Sequence, residues 1–312
     1  MAHQLLVVAW HNIEATWHYP APAGTGTRGF ERQVRWLSRA GTVVPLREAV
    51  DSLLAGRRLP PRAVALTFDD GYLDNLELAV PILRRLGLPA TFFLVPDLLD
   101  GKTSAWWELL GWGFAHAGRA SIEWRGVEFP TGGAARASSL AAVAEALKGL
   151  DRLERDAAVA GLLERLEPDG DPDVRRLFMD GDQAGRLVAA GMQVGSHSMH
   201  HAILSRETPE AQRVDLSGSR SWLEGTLDVP VDVLAYPNGR WADFDEHTVA
   251  AAEAAGYLAS CTTQAGRNRP DVSSHAVRRV VFEPQRGFAG MALQRVRGRL
   301  GAKSQAPPAS AT

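Results

Sequence analysis

Cysteine is almost missing. Cys261 is the only one in 312 residues, which excludes an internal disulfide. It lies among Ser260, Thr262 and Thr263 with no activating partner nearby, so a buried, inert thiol is expected. Long apolar runs are missing too. No stretch of about eighteen such residues exists to span a bilayer. Nor does either charge dominate: 34 Lys and Arg stand against 36 Asp and Glu, a net charge of −2 that leaves no basic field for nucleic acid. A basic n-region is lacking before Leu5–Trp10, and that apolar run is only strand-sized. It reads as a core strand and not as a signal peptide, with a cytoplasmic location as the default expectation. What remains is an ordinary globular composition. At 45% hydrophobic the chain is too apolar for disorder, and its length suits one large α/β domain or two small ones.

Short apolar runs alternate with amphipathic segments. Strands are expected at Leu5–Trp10, Val43-Val44, Val64–Phe68, Ala90–Val95, Met192–Val194, Val233–Ala235, Leu258–Cys261 and Val277–Phe282. Helices are expected at Phe30–Ala40, Leu46–Ala55, Asn75–Leu86 with Gly87 as its stop, Gly181–Ala190, Glu210–Glu224 and Glu246–Ala255. Residues 101–178 break the rhythm. They are too long for a simple connection and contain Trp106, Trp107, Trp112, Trp124 and a helix-forming stretch, Ser138–Leu166, that reads as one or two helices. They are taken as a mainly helical insertion in a catalytic domain spanning 1–300. The Ala-, Pro- and Ser-rich residues 301–312 read as a disordered tail. Regular alternation implies parallel strands with helical crossovers, hence an α/β protein with a closed or partly closed (β/α) barrel. In such a fold, side chains just after the strands share one rim. His11, Asp69-Asp70 and His197 all stand in that position.

Two adjacent carboxylates in Thr67-Phe68-Asp69-Asp70-Gly71-Tyr72 are costly unless a cation neutralises them. Taken alone, the pair also suits a helix cap and turn. The segment His197-Ser198-Met199-His200-His201 holds three of the nine histidines within five residues. Neutral imidazole is a favoured zinc ligand, and two imidazoles with one carboxylate leave positions open for water, as catalytic sites require. The bland alternative is a His-rich surface loop.

The segments TFDDGY (67–72), GSHSMHH (195–201) and AYPNG (235–239), in that order, resemble the polysaccharide deacetylase family, also called carbohydrate esterase family four. The resemblance covers about residues 5–100 and 178–285. It implies a distorted (β/α) barrel, here with the helical insertion, that hydrolyses acetyl groups on sugars using a divalent metal, often zinc. Carried over residue by residue, it makes Asp70, His197 and His201 the metal ligands and leaves His200 a neighbour. Asp69 becomes the general base that activates a water on the metal. Ser198 would brace the histidine turn by hydrogen bonding. The backbone N–H of Tyr236 would help hold the oxyanion. On its own, YPNG is equally an ordinary turn. Arg240 and Trp241, which follow it, are candidates for the sugar site or for packing.

One departure matters. Most members carry an acid histidine on the last strand, where this chain reads Val277-Arg278-Arg279-Val280-Val281-Phe282; His275 precedes that strand, at the wrong end of the barrel. Ala9-Trp10-His11-Asn12 instead resembles the first-strand element of a circularly permuted subgroup that includes poly-N-acetylglucosamine deacetylases. That resemblance makes His11 the general acid; a core histidine is the alternative. Arg279 is read either as a group that tunes the aspartate base or as a surface charge. His3, His18, His116 and His247 fit no spacing argument. The tryptophans of the insertion either anchor its helices or wall a sugar site. The expected activity is N-deacetylation of an N-acetylated glycan or glycan precursor. The alternatives are an O-acetyl esterase or small-amide hydrolase on the same scaffold, or a non-catalytic sugar binder.

Overall fold

The computed structural model describes residues 4–21 and 25–283. The first half of the barrel comprises β1 (Leu5–Trp10), α1 (Thr25–Ala40), β2 (Thr42–Val43), α2 (Leu46–Leu54), β3 (Ala63–Phe68), α3 (Val80–Leu86), β4 (Thr91–Leu94) and the short α4 (Pro96–Leu99). The inserted region follows with α5 (Trp106–Ala115), β5 (Ser121–Trp124), β6 (Val127–Pro130), α6 (Arg136–Leu147) and α7 (Arg152–Leu166). The chain then returns through α8 (Gly181–Ala189), β7 (Gln193–Ser196), α9 (Pro209–Leu227), β8 (Val233–Ala235), α10 (Glu246–Ala254), β9 (Ala259–Cys261) and β10 (Val280–Val281). The tail expected beyond Gly301 lies outside the described residues.

The main sheet is parallel, with order β10-β1-β3-β4-β7-β8-β9 and β2 beside the start of β3. It curls until its ends meet. Val277 N–H donates to Ser260 O at 3.0 Å, and Thr262 N–H donates to Val277 O at 2.7 Å. Phe282 N–H then donates to Ala9 O at 2.7 Å. The segment expected as one strand over Val277–Phe282 thus divides its bonds between β9 and β1. Only Val280–Val281 forms a regular strand, because the segment crosses the seam of the barrel.

Strand alternation explains where the site lies. On β1 and β3, Val8, Trp10, Val64, Leu66 and Phe68 join the outer core beneath the helices, while Leu5, Val7, Ala63 and Ala65 face the barrel interior. Successive side chains alternate faces. Extending the inner row two residues at a time therefore reaches His11 and Asp69 at the strand ends, and His197 from Gly195 on β7. Small inner residues such as Ala235, Ala259 and Cys261 let the barrel tighten. Gly195 is required here: a Cβ would lie 2.5 Å from the Phe93 ring and 2.9 Å from the Val233 carbonyl oxygen. Burial pushes the Cys261 thiol up to about 12, which fits the inert thiol expected.

Two local readings change. Helix α1 begins at Thr25, a turn earlier than Phe30, despite two glycines. Its first turn lies so close to the β1 loop that a Cβ on Gly26 would meet the Ile13 carbonyl. The segment Asn75–Leu86 opens with a π turn at Asn75–Ala79 before α3. There Asn75 donates to His11 O at 2.7 Å, and Asp74 accepts from Ile13 N and Glu14 N at 2.7 and 2.9 Å. The first turn is widened where it grips the β1 loop.

The insertion leaves the barrel after β4 and returns before its sheet neighbour β7. It has its own core, in which Trp106, Trp107, Leu110 and Phe114 of α5 pack with Val143 and Leu147 of α6 and Leu162 and Leu166 of α7. The helical stretch is two helices, with Asp151 capping α7 by accepting from Glu154 N. The β5–β6 hairpin was not expected. Its signal is present in SIEWRGVEF, whose Arg125 and Gly126 turn residues both have positive φ.

Candidate metal centre

Asp70, His197 and His201 converge. Asp70 Oδ1 is 3.3 Å from Nε2 of each histidine, and one ligand atom from each residue lies within 4.8 Å of the others. Asp70 belongs to the outer row by alternation, so its side chain reaches the interior only because its backbone turns left-handed, at φ 71°. Ser198, His201 and Asn238 also have positive φ, which concentrates backbone strain around the centre.

These residues fit a divalent cation. Asp70 Oδ1 is buried and has no hydrogen-bond partner among the described residues. His197 Nδ1 lies 2.7 Å from the Ala235 carbonyl oxygen, which can only accept, so this nitrogen carries the proton. Nε2 therefore turns a lone pair toward the carboxylate oxygen. Lone pairs converging on one point repel unless a cation stands between them.

Asp69 has different company. Arg279 donates from Nη1 to Oδ1 at 2.7 Å and from Nη2 to Oδ2 at 2.8 Å. Arg279 is fully buried, donates from Nε to Thr262 O at 3.1 Å and lies over the Phe93 ring. The surface-charge reading of Arg279 is therefore wrong, because the last strand turns this position into the barrel. Burial alone would raise Asp69; the Arg279 charge overcomes that and lowers it, keeping the carboxylate ionised. His11 Nε2 is 4.0 Å from Asp69 Oδ2, and its side chain is part-exposed in the same pocket. It is not a core histidine. His275 is buried elsewhere, with its Nδ1 2.8 Å from Ser260 Oγ.

Two expectations fail. Ser198 Oγ is buried with no hydrogen-bond partner among the described residues, so it does not brace the histidine turn. Asp215 does, accepting from Met199 N at 2.7 Å, while His200 Nδ1 meets Asp97 Oδ2 at 2.5 Å. The N–H of Tyr236 donates to Cys261 O at 3.1 Å, and its hydroxyl donates to His275 O at 3.2 Å. The proposed oxyanion donor is thus committed to the β8–β9 ladder, since one N–H serves one strong acceptor. Asn238 and Arg240 of the same turn line the pocket, whereas Trp241 packs on Phe244.

The pocket, of about 250 Å³, also draws residues that spacing could not find. His18 and Tyr19 come from the loop after β1, held by Glu108 Oε2, which accepts from His18 N at 3.1 Å. Burial pushes His18 down to about 4. Trp107 lies 4.4 Å from the His201 ring, centroid to centroid, and donates to Tyr72 Oη at 2.8 Å. Trp106 and Trp107 therefore both anchor the insertion and wall the pocket. A larger cleft of about 440 Å³, lined by Arg47, Gln193, Asp232 and apolar neighbours, lies where β7 and β8 begin, away from this chemistry.

A family model for polysaccharide deacetylase matches residues 56–260, and the chain belongs to this family of hydrolases acting on the acetyl groups of sugars. YxkH of Bacillus subtilis (strain 168) is 23% identical over 292 residues, which is 93% of this chain and 75% of that protein. The poly-β-1,6-N-acetyl-D-glucosamine N-deacetylase of Escherichia coli (strain K12) is 31% identical over 99 residues, but these are 30% of this chain and 14% of that protein. Among solved structures, the Streptococcus pyogenes deacetylase PplD in complex with acetate has a TM-score of 0.61 at 16% identity, covering 94% of this chain and 99% of that one. IcaB from Ammonifex degensii has a TM-score of 0.56 at 20% identity, covering 91% and 94%. The structural likenesses establish a common fold.

Proposed function

We propose that this chain removes N-acetyl groups from an N-acetylated glycan or glycan precursor, with a divalent cation, zinc by the donor set, held by Asp70, His197 and His201. The observation that carries this reading is the bare, buried Asp70 oxygen facing two imidazole nitrogens at 3.3 Å. When bound, the cation lowers the pKa of a water and polarises the acyl carbonyl. Asp69 is the proton acceptor. Arg279 holds it ionised and fixed in orientation, so it takes the proton of the attacking water without reorganising. His11 stands across from Asp69 and delivers a proton to the amine nitrogen as the carbon–nitrogen bond breaks. The products are acetate and a free amino sugar. Tyr236 contributes through the turn it anchors, which carries Asn238 into the pocket.

The test is acetate release from N-acetylglucosamine oligomers by protein stripped of metal and then given zinc or cobalt. Asp69→Asn should retain metal content and lose roughly 10²–10⁴-fold in rate. Full turnover by this variant would remove Asp69 from its role, and acetate release that ignores chelation and metal return would remove the metal.

A further inference from the structure

The floor and the rim of the pocket differ in charge. At the floor, Asp69 and Asp70 are almost fully buried, and both are matched: Asp69 by Arg279, Asp70 by the cation its geometry suits. Two further charged side chains line the same pocket. Lys148, at the end of α6, is 24% exposed, and Arg240, after the YPNG turn, is 53% exposed. Its exposure places Arg240 near the opening, and the Glu145 carboxylate that both cations share sets Lys148 beside it. Their balancing carboxylates stand outside the pocket lining. Glu145 accepts from Arg240 Nη1 at 2.5 Å and lies 3.6 Å from Lys148 Nζ, and Asp243 accepts from the Arg240 backbone N–H at 2.9 Å. Toward a ligand, the rim therefore presents cationic donors and no carboxylate. Guanidinium and ammonium groups so placed favour an anionic partner through charge-assisted hydrogen bonds.

We propose that Lys148 and Arg240 form a binding subsite for an anionic group, a phosphate or a carboxylate, carried by the sugar whose acetamido group enters the metal centre. The subsite joins the two parts of the molecule, since Lys148 comes from the insertion and Arg240 from the barrel. It gives the insertion a role in substrate selection beyond walling the pocket. The proposal rests on the deacetylase reading only for what occupies the floor.

Zinc-loaded protein titrated with N-acetylglucosamine, N-acetylglucosamine 1-phosphate and N-acetylmuramic acid tests it, with acetate release followed in parallel. At least one anionic sugar should bind about tenfold tighter than the neutral one, with the advantage shrinking as salt rises. The two anionic arms separate phosphate from carboxylate. In Lys148→Met combined with Arg240→Gln, the advantage should fall below twofold. If the double variant does not fold, each single variant should still reduce the advantage. Equal affinity for all three sugars, or no detectable binding of either anionic one, overturns the proposal. So does a preference that survives the substitutions, since the anion would then be on the metal. Preferential binding without acetate release from these sugars would sustain the subsite, and absence of release from N-acetylglucosamine oligomers as well would refute the deacetylase reading.

Discussion

His197 and His201 face the same oxygen of Asp70 at the same 3.3 Å, yet different regions of the molecule hold them. His197 follows a barrel strand, and the Ala235 carbonyl of the next strand fixes its Nδ1. His201 ends the left-handed turn beyond it. Its Nδ1 has no hydrogen-bond partner among the described residues, and the Trp107 ring of the insertion lies against it. The barrel positions its imidazole by a directed bond, and the insertion positions the other by packing. The first is set by strand register and admits one tautomer; the second depends on a separate hydrophobic core staying docked.

The comparison is broken most severely from the barrel side. Arg279→Met leaves Asp69 buried without its partner and should cost about 3–5 kcal/mol of global stability, measurable as a shifted urea midpoint. A change below 1 kcal/mol would mean that Asp69 finds another partner. Trp107→Ala probes the insertion. Loss of its packing and of its bond to Tyr72 should cost about 3 kcal/mol, and metal retention should fall because His201 loses its backing. A variant as unstable as expected but with full metal affinity would show that the turn alone orients His201. The effect that is smallest at neutral pH belongs to the loop between the two regions. Burial holds His18 at about 4 when folded against 6.5 when unfolded, so between those values the unfolded chain binds the extra proton. Stability should therefore fall as pH drops through 6.5 toward 4. His18→Gln should gain on the natural protein over that window, read as a growing difference in midpoint denaturant concentration; a constant difference would place His18 in water.

The barrel was legible because its strands are buried on both faces and appear as apolar runs, and because chemistry follows directly at their ends. His11, Asp69, Asp70 and His197 all came from that rule. The insertion was legible only as helical, since its core is shared among segments that show no period of their own, and its hairpin carries only a weak Arg-Gly turn. The oxyanion role carried over to Tyr236 by motif did not match the geometry. A motif names the residue, whereas the ladder decides where its N–H points.

From the sequence alone came the class of fold and, through the family resemblance, the candidate trio Asp70, His197 and His201 and the reading of Asp69 as the proton acceptor. These depend on residue type and on short spacings, which local geometry preserves. Tertiary structure decided that Arg279 grips Asp69 across 210 residues, that Trp107 backs His201 and that Lys148 and Arg240 line one pocket. Each of these pairs distant segments through the closure of the barrel or the docking of the insertion. No local pattern encodes such a meeting, because its energy exists only once both surfaces are built.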